Sequence, residues 1–214
     1  MASAEGVIKF AMEHEEGPAM PATELADLNA WRRILFQLAL IGQDPKRYGG
    51  FGFGNISCRI SPFNGGPNQR AFVISGTQTG GIPNLGPEHY TLVTGYYPAR
   101  NLLVSKGPIR PSSESLTHGM VYDLASDAHW VLHAHSPHIW QQAPALEVPM
   151  TATDVAYGTP EMAAEVERLF AERGVRAKGI FGMGGHEDGI VTFGPTAEAA
   201  GSVLINYLAA AYAR

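Results

Sequence analysis

Apolar positions recur along this chain at helical and strand-like spacings, and their succession lays out a mixed domain. Leu25, Leu28, Trp31, Ile34, Leu35, Leu38 and Ile41 return at helical intervals. Thr23 offers a cap ahead of that stripe, and Gly42 with Pro45 stops it. The glycine-rich run RYGGFGFG then leads into a strand in which Ile56, Cys58 and Ile60 alternate with Asn55, Ser57 and Arg59, the mark of a half-buried strand with one polar face. AFVIS at 71–75 supplies its hairpin partner, and 90–95 and 101–105 add fainter strands. Leu116, Met120, Val121 and Leu124 mark a helix that begins near Ser112 or Ser113, and WVLHAHS is strand again. Thr159 and Pro160 form an N-cap and first-turn pair for a helix with Met162, Ala163, Val166, Leu169 and Phe170 as its apolar stripe, ended by Gly174. GIFGM and GIVTF are short strands on either side of GGHED. Thr196 caps a last helix that buries Ala199, Ala200, Val203, Leu204, Tyr207 and Leu208. Residues 1–22 show little periodicity and read as an N-terminal extension to a domain spanning 23–214. The pattern predicts one α/β domain with a central sheet flanked by helices.

Composition acts mainly by exclusion. A chain of 214 residues suits a single sizeable core. A net charge of -5 argues against a nucleic-acid or anionic-membrane surface. Cys58 is the only cysteine, so an intramolecular disulfide and a cysteine-built metal site are excluded. No apolar run reaches the length of a membrane span and no signal-peptide pattern is present, so the expected location is the cytoplasm.

Chemistry concentrates between Pro111 and Ser136, PSSESLTHGMVYDLASDAHWVLHAHS. Side chains two apart on a strand share a face, so His133 and His135 can converge on one cation while Trp130, Leu132 and Ala134 face the other way. Glu114 opens the preceding helix, where a carboxylate either serves a site or simply favours the helix dipole. His118 lies one turn further, at the spacing for a hydrogen bond that orients Glu114. The other histidines, His14, His89, His129 and His138, read as structural. Three polar features resemble anion cradles: GTQTGG at 76–81, Asn55 in GNIS, and Ser112 with Ser113 at a helix start. Each alone also reads as an ordinary turn or cap. Together they favour an oxygen-rich anionic ligand.

GNIS, ISGTQTGG, PSSESLTH, HAHS, YGTPEMA and HEDGIVTFG followed by TAEAA occur in the order found in the class II aldolase/adducin family, and the chain resembles that family from about Gly54 to Ala211. The family includes fuculose-phosphate aldolase, ribulose-phosphate 4-epimerase, methylthioribulose-phosphate dehydratase and the non-enzymatic adducin head domains. The resemblance implies a three-layer αβα sandwich with a central, largely antiparallel sheet, and a fourfold homotetramer with active sites between subunits. It places zinc ligands on His133 and His135, the acid/base on Glu114, and phosphate-binding residues on Asn55, Thr77, Thr79, Gly80, Ser112 and Ser113.

The third ligand is less direct. An ungapped match puts Asp188-Gly189 where the family has His-Gly, while His186 sits two residues earlier. His186 is favoured because three imidazoles suit a zinc-like ion; Asp188 would give a site of two histidines and a carboxylate. The segment between His135 and Tyr157 is shorter than in the aldolases and lacks the tyrosine that there protonates the leaving fragment. Tyr157, Tyr207, Tyr212 and the N-terminal extension remain as substitutes. The SGTQTGG loop, two residues longer, leaves phosphate, carboxylate and plain polyol as candidates for its pocket. The implied protein is a lyase dependent on a divalent metal, expected to be Zn2+, that cleaves a small sugar-like substrate through an enediolate. In it Glu114 alternates between metal ligand and general base. Epimerase, dehydratase, decarboxylase and a non-catalytic binding module are the alternatives. Neither nucleic acid nor membrane is an expected partner.

Overall fold

Side-chain alternation along the strands divides the apolar core into two layers, one on each face of a single sheet. The computed structural model describes residues 6–172 and 174–214. Its strands are β1 (Ala11–Glu16), β2 (Gly42–Gln43), β3 (Gly52–Phe53), β4 (Asn55–Arg59), β5 (Phe72–Ser75), β6 (Tyr90–Tyr97), β7 (Leu102–Gly107), β8 (Trp130–His135), β9 (Ile180–Gly182) and β10 (Gly189–Gly194). The helices are α1 (Ala26–Gln37), α2 (Ser115–Leu124), α3 (Pro137–Gln141), α4 (Pro160–Glu172), α5 (Val175–Lys178) and α6 (Ala197–Tyr212). Eight strands form one sheet in the order β1-β7-β6-β5-β4-β8-β10-β9, while β2 and β3 make a separate small pair. All neighbours in the large sheet are antiparallel except β1 and β7.

On one face, Phe72, Ile74, Val93, Val131 and Val191 pack with Leu116 and Val121 of α2 and Met162, Val166 and Leu169 of α4. On the other, Ile56, Val73, Leu132, Ala134 and Ile190 meet Leu28 and Leu35 of α1, Ile139 of α3, and Leu204 and Leu208 of α6. The three-layer, largely antiparallel architecture follows from this division.

Several local expectations shift. Residues 22–25 form a 3-10 turn, and Leu25 rather than Thr23 occupies the N-cap position of α1. Ile34 and Leu38 face outward, at 38% and 42% exposure, while Arg32 takes an inward position beside Leu28 and Leu35. Helix α2 starts at Ser115 with Glu114 at its N-cap, later than Ser112 or Ser113. From the segment read as an extension, β1 pairs in parallel with β7, and Phe10 is buried in the core; residues 1–5 lie outside the described residues. The polar face of β4 is buried, with Asn55, Ser57 and Arg59 each no more than 6% exposed. Ser57 turns to α2, its Oγ 2.7 Å from both His118 Nδ1 and Tyr122 Oη.

Candidate metal centre and anion pocket

The register of the central strands assembles the site. Asn55 of β4 stands directly opposite His133 of β8, and Gly189 of β10 stands opposite His135. With Leu132 and Ala134 buried in the opposite core layer, both imidazoles emerge on the α2 side. His186 enters from the turn joining β9 to β10, where its N–H donates to Met183 O at 3.1 Å and its carbonyl accepts from Gly189 N at 2.9 Å. The turn brings the third imidazole to the other two. One ligand nitrogen from each of His133, His135 and His186 lies within 4.8 Å of the others, and all three residues are buried.

Burial fixes the charge state of the first two rings. Desolvation, reinforced by the neighbouring imidazoles, holds His133 and His135 well below the ordinary imidazole pKa. Neutral rings can present lone pairs to a cation, so the donor set fits a divalent metal. The Asn55 amide lies 3.3 Å from His133 Nδ1, and His133 Nε2 has no hydrogen-bond partner among the described residues. The atom facing Nδ1 is the amide nitrogen Nδ2, with Oδ1 unpartnered among the described residues. Turning the amide over brings Oδ1 to accept from Nδ1–H and leaves the Nε2 lone pair for such an ion.

Glu114 is 1% exposed. Its Oε1 lies 3.4 Å from His186 Nδ1, and Oε2 accepts a 3.2 Å hydrogen bond from Thr117 Oγ1. Its place at the start of α2 puts the carboxylate near the positive end of the helix dipole. The expected His118 partnership takes a different form. The His118 ring turns to Ser57, and Thr117, one residue earlier, holds Glu114.

Asp188 is not in the histidine cluster. Tyr48 Oη donates to its Oδ2 at 2.6 Å and Arg47 Nη2 does so at 3.2 Å. Tyr48 also sits edge-on to His135, with ring centroids 4.5 Å apart. Tyr48 and Asp188 both have positive φ, 50° and 62°, a costly conformation for residues with side chains. Beyond the glycines that follow Tyr48, nothing in the local pattern signals this pair.

Tyr157 stacks on His186 at a centroid distance of 4.4 Å and its hydroxyl accepts from Val7 N at 3.1 Å. The Lys9 ammonium stands over the same ring, 3.6 Å from its centroid. The start of the described chain therefore forms one wall of the site. The tyrosine-free stretch after His135 supports the His186 turn: Met150 bridges to Gly182, and Gly184 N donates to Thr151 Oγ1 at 2.9 Å. Tyr212 lies at the end of α6, 64% exposed, in a groove that also contains His135 and Arg47; Tyr207 packs at the edge of the α6 core.

All six residues expected to hold an anion, Asn55, Thr77, Thr79, Gly80, Ser112 and Ser113, line one small polar depression with Gly6, Gly52 and Gln78. Asn55 lines this depression and touches His133, so the depression and the histidine cluster adjoin. Thr79 Oγ1 donates to Gly76 O at 2.8 Å and so closes its own loop. Ser112 Oγ accepts from Glu114 N at 3.3 Å and shapes the entry to α2.

The model of the Class II Aldolase and Adducin N-terminal domain family matches residues 44–213. No curated protein matches the chain in sequence. Among solved structures, the L-fuculose-1-phosphate aldolase of Thermus thermophilus aligns with a TM-score of 0.62 at 19% identity, covering 90% of this chain and 93% of that one. A sugar-phosphate aldolase of Thermotoga maritima gives a TM-score of 0.62 at 15% identity, with 88% and 92% coverage. YgbL of Escherichia coli, assigned only provisionally as an aldolase, epimerase or decarboxylase, gives 0.65 at 16% identity, with 90% and 88% coverage. At these identities the likeness is one of fold.

Proposed function

The chain belongs to the class II aldolase and adducin family, and from that membership we propose that it is a lyase dependent on a divalent metal. Its substrate is a small sugar-like molecule carrying an anionic group, and its reaction is aldol cleavage. The observation that carries this reading is the buried group of His133, His135 and His186 with the Glu114 carboxylate 3.4 Å from His186. A non-catalytic adducin-like module has no use for such a group.

His133, His135 and His186 would hold the ion, and three imidazoles favour Zn2+. A cation there supplies Lewis-acid stabilisation of the negative charge that develops on the substrate during enediolate formation. Asn55 fixes the orientation of the His133 ring. Glu114, steadied by Thr117, handles the proton: net cleavage moves the substrate's hydroxyl proton to the carbon released as a carbanion, and Oε1 delivers the proton to that carbon after cleavage and removes it in the reverse direction. The depression lined by Thr77, Gly80, Ser112 and Ser113 receives the substrate's anionic end, with phosphate the group we assign. The fourfold homotetramer belongs to the same proposal and rests on family membership; a cytoplasmic location belongs to it as the expectation read from the sequence.

A second reading, epimerase, dehydratase or decarboxylase, is favoured by one feature: no tyrosine occurs in the stretch 136–156. All of these reactions could use the same Glu114 and histidines. A screen of phosphorylated and unphosphorylated ketoses and hydroxy acids with the metal-loaded protein separates them by product. Glu114→Gln is expected to lower turnover by roughly 10²–10⁴-fold while metal content stays at the wild-type value. Full activity in that variant removes Glu114 from the mechanism.

A further inference from the structure

The inward face of α1 carries a charged side chain at a position suited to hydrocarbon. Arg32 is 2% exposed, flanked along the helix by Leu28 and Leu35. A guanidinium withdrawn from water is strongly disfavoured unless its donors are matched, so its partners matter. They are three main-chain carbonyls of one loop. Nη2 donates to Thr79 O at 2.8 Å and to Gly80 O at 3.1 Å, and Nη1 donates to Pro83 O at 3.2 Å.

In a trans peptide a carbonyl and the N–H of the next residue point in opposite directions. With the Thr79 and Gly80 carbonyls turned toward Arg32, the N–H groups of Gly80 and Gly81 turn away from it. Both nitrogens lie 3.2 Å from the place a Cβ on Gly52 would occupy. Gly52 and Gly80 both line the anion depression. Successive main-chain N–H groups aimed into a concavity bind anions, and a cation behind the same peptides polarises them further.

We propose that Arg32 is a positioning residue for the anion pocket: by gripping the Thr79 and Gly80 carbonyls it aims the Gly80 and Gly81 N–H groups at the substrate's phosphate. The inference rests on the reading of that depression as the anion site. It assigns a role to a residue outside the family match, which begins at residue 44.

The test is calorimetric titration of inorganic phosphate into the full-length, metal-loaded chain. Arg32→Met is expected to bind phosphate about tenfold more weakly, the effect of roughly one charge-assisted hydrogen bond, with unchanged metal affinity. Arg33→Met, which removes an exposed positive charge from the same helix, should bind phosphate as the wild type does. Arg32→Lys keeps the charge, yet one ammonium cannot span all three carbonyls, so its affinity should fall between the two; it carries the test if the methionine variant does not fold. Wild-type phosphate affinity in a folded Arg32→Met or Arg32→Lys protein overturns the role of Arg32 and leaves the pocket reading standing. Parallel loss of metal and phosphate affinity also overturns it, because that is what general disruption produces. A wild-type chain that binds no phosphate overturns the pocket reading, and this inference with it.

Discussion

His118 shows how far burial alone can set the chemistry of a residue here. It is fully buried, bonded through Nδ1 to Ser57, and desolvation lowers its pKa to about 3. The unfolded chain exposes an ordinary imidazole, with a pKa of about 6.5. Between those values the unfolded state binds a proton that the folded state refuses, so stability rises with pH. The contribution is complete above the unfolded pKa and is lost as pH falls toward about 3. Denaturant unfolding of metal-free protein from pH 7 to pH 4.5 should therefore show a decline that is shallower in His118→Leu, by up to ~1.4 kcal/mol per pH unit. Equal slopes would mean that His118 is protonated in the fold. At this scale the sequence is readable where chemistry follows local spacing. Strand alternation put His133 and His135 on one face, and the helix start marked Glu114. It could not show that His118 would turn to Ser57, or that Tyr48 would meet Asp188, because those partners are 61 and 140 residues apart and only the sheet brings them together.

The turn between β9 and β10 matters as an element because it delivers the third imidazole. Its glycines allow the 151–155 segment to cross closely: a Cβ on Gly185 would stand 1.9 Å from Val155 O, and one on Gly184 would stand 2.3 Å from Thr151 O. Neither collision can be relieved by a side-chain rotation, since both are with main chain. Gly185→Ala must therefore push the turn and the 151–155 segment apart and carry His186 with it. Overpacking of this kind costs about 1–3 kcal/mol, and the affinity for Zn2+, measured by competition with a chelator, should fall at least roughly tenfold. Unchanged affinity would mean that the turn is not what places His186. The long amphipathic elements α1, α4 and α6 were legible from their apolar stripes. The helices α3 and α5, of 5 and 4 residues, are too short to display a period. Strand β1 was missed for another reason. Its sequence AMEHEE is exposed or half-exposed throughout, so an edge strand held by main-chain hydrogen bonds leaves no apolar alternation to read.

Across the whole molecule, the candidate metal centre joins parts of the chain that are otherwise linked through the sheet and its two core layers. His133 and His135 come from β8, His186 from the β9–β10 turn, and Glu114 from the head of α2. An ion held by the three histidines binds only when these parts are assembled, so its binding free energy adds to the stability of the fold. At a free metal concentration 100-fold above the dissociation constant this amounts to about 2.7 kcal/mol. In a domain of this size that corresponds to roughly 5–10 °C in melting temperature. Adding Zn2+ to chelator-stripped protein should produce such a rise, and a chelator should reverse it. His186→Ala should abolish most of the rise. Asp188→Asn should keep it, because that carboxylate is held by Tyr48 and Arg47 outside the histidine cluster. If Asp188→Asn loses the response and His186→Ala retains it, the ligand set is two histidines and a carboxylate. If the wild type melts identically with and without metal, the histidine cluster is a feature of the core and the lyase reading falls with it.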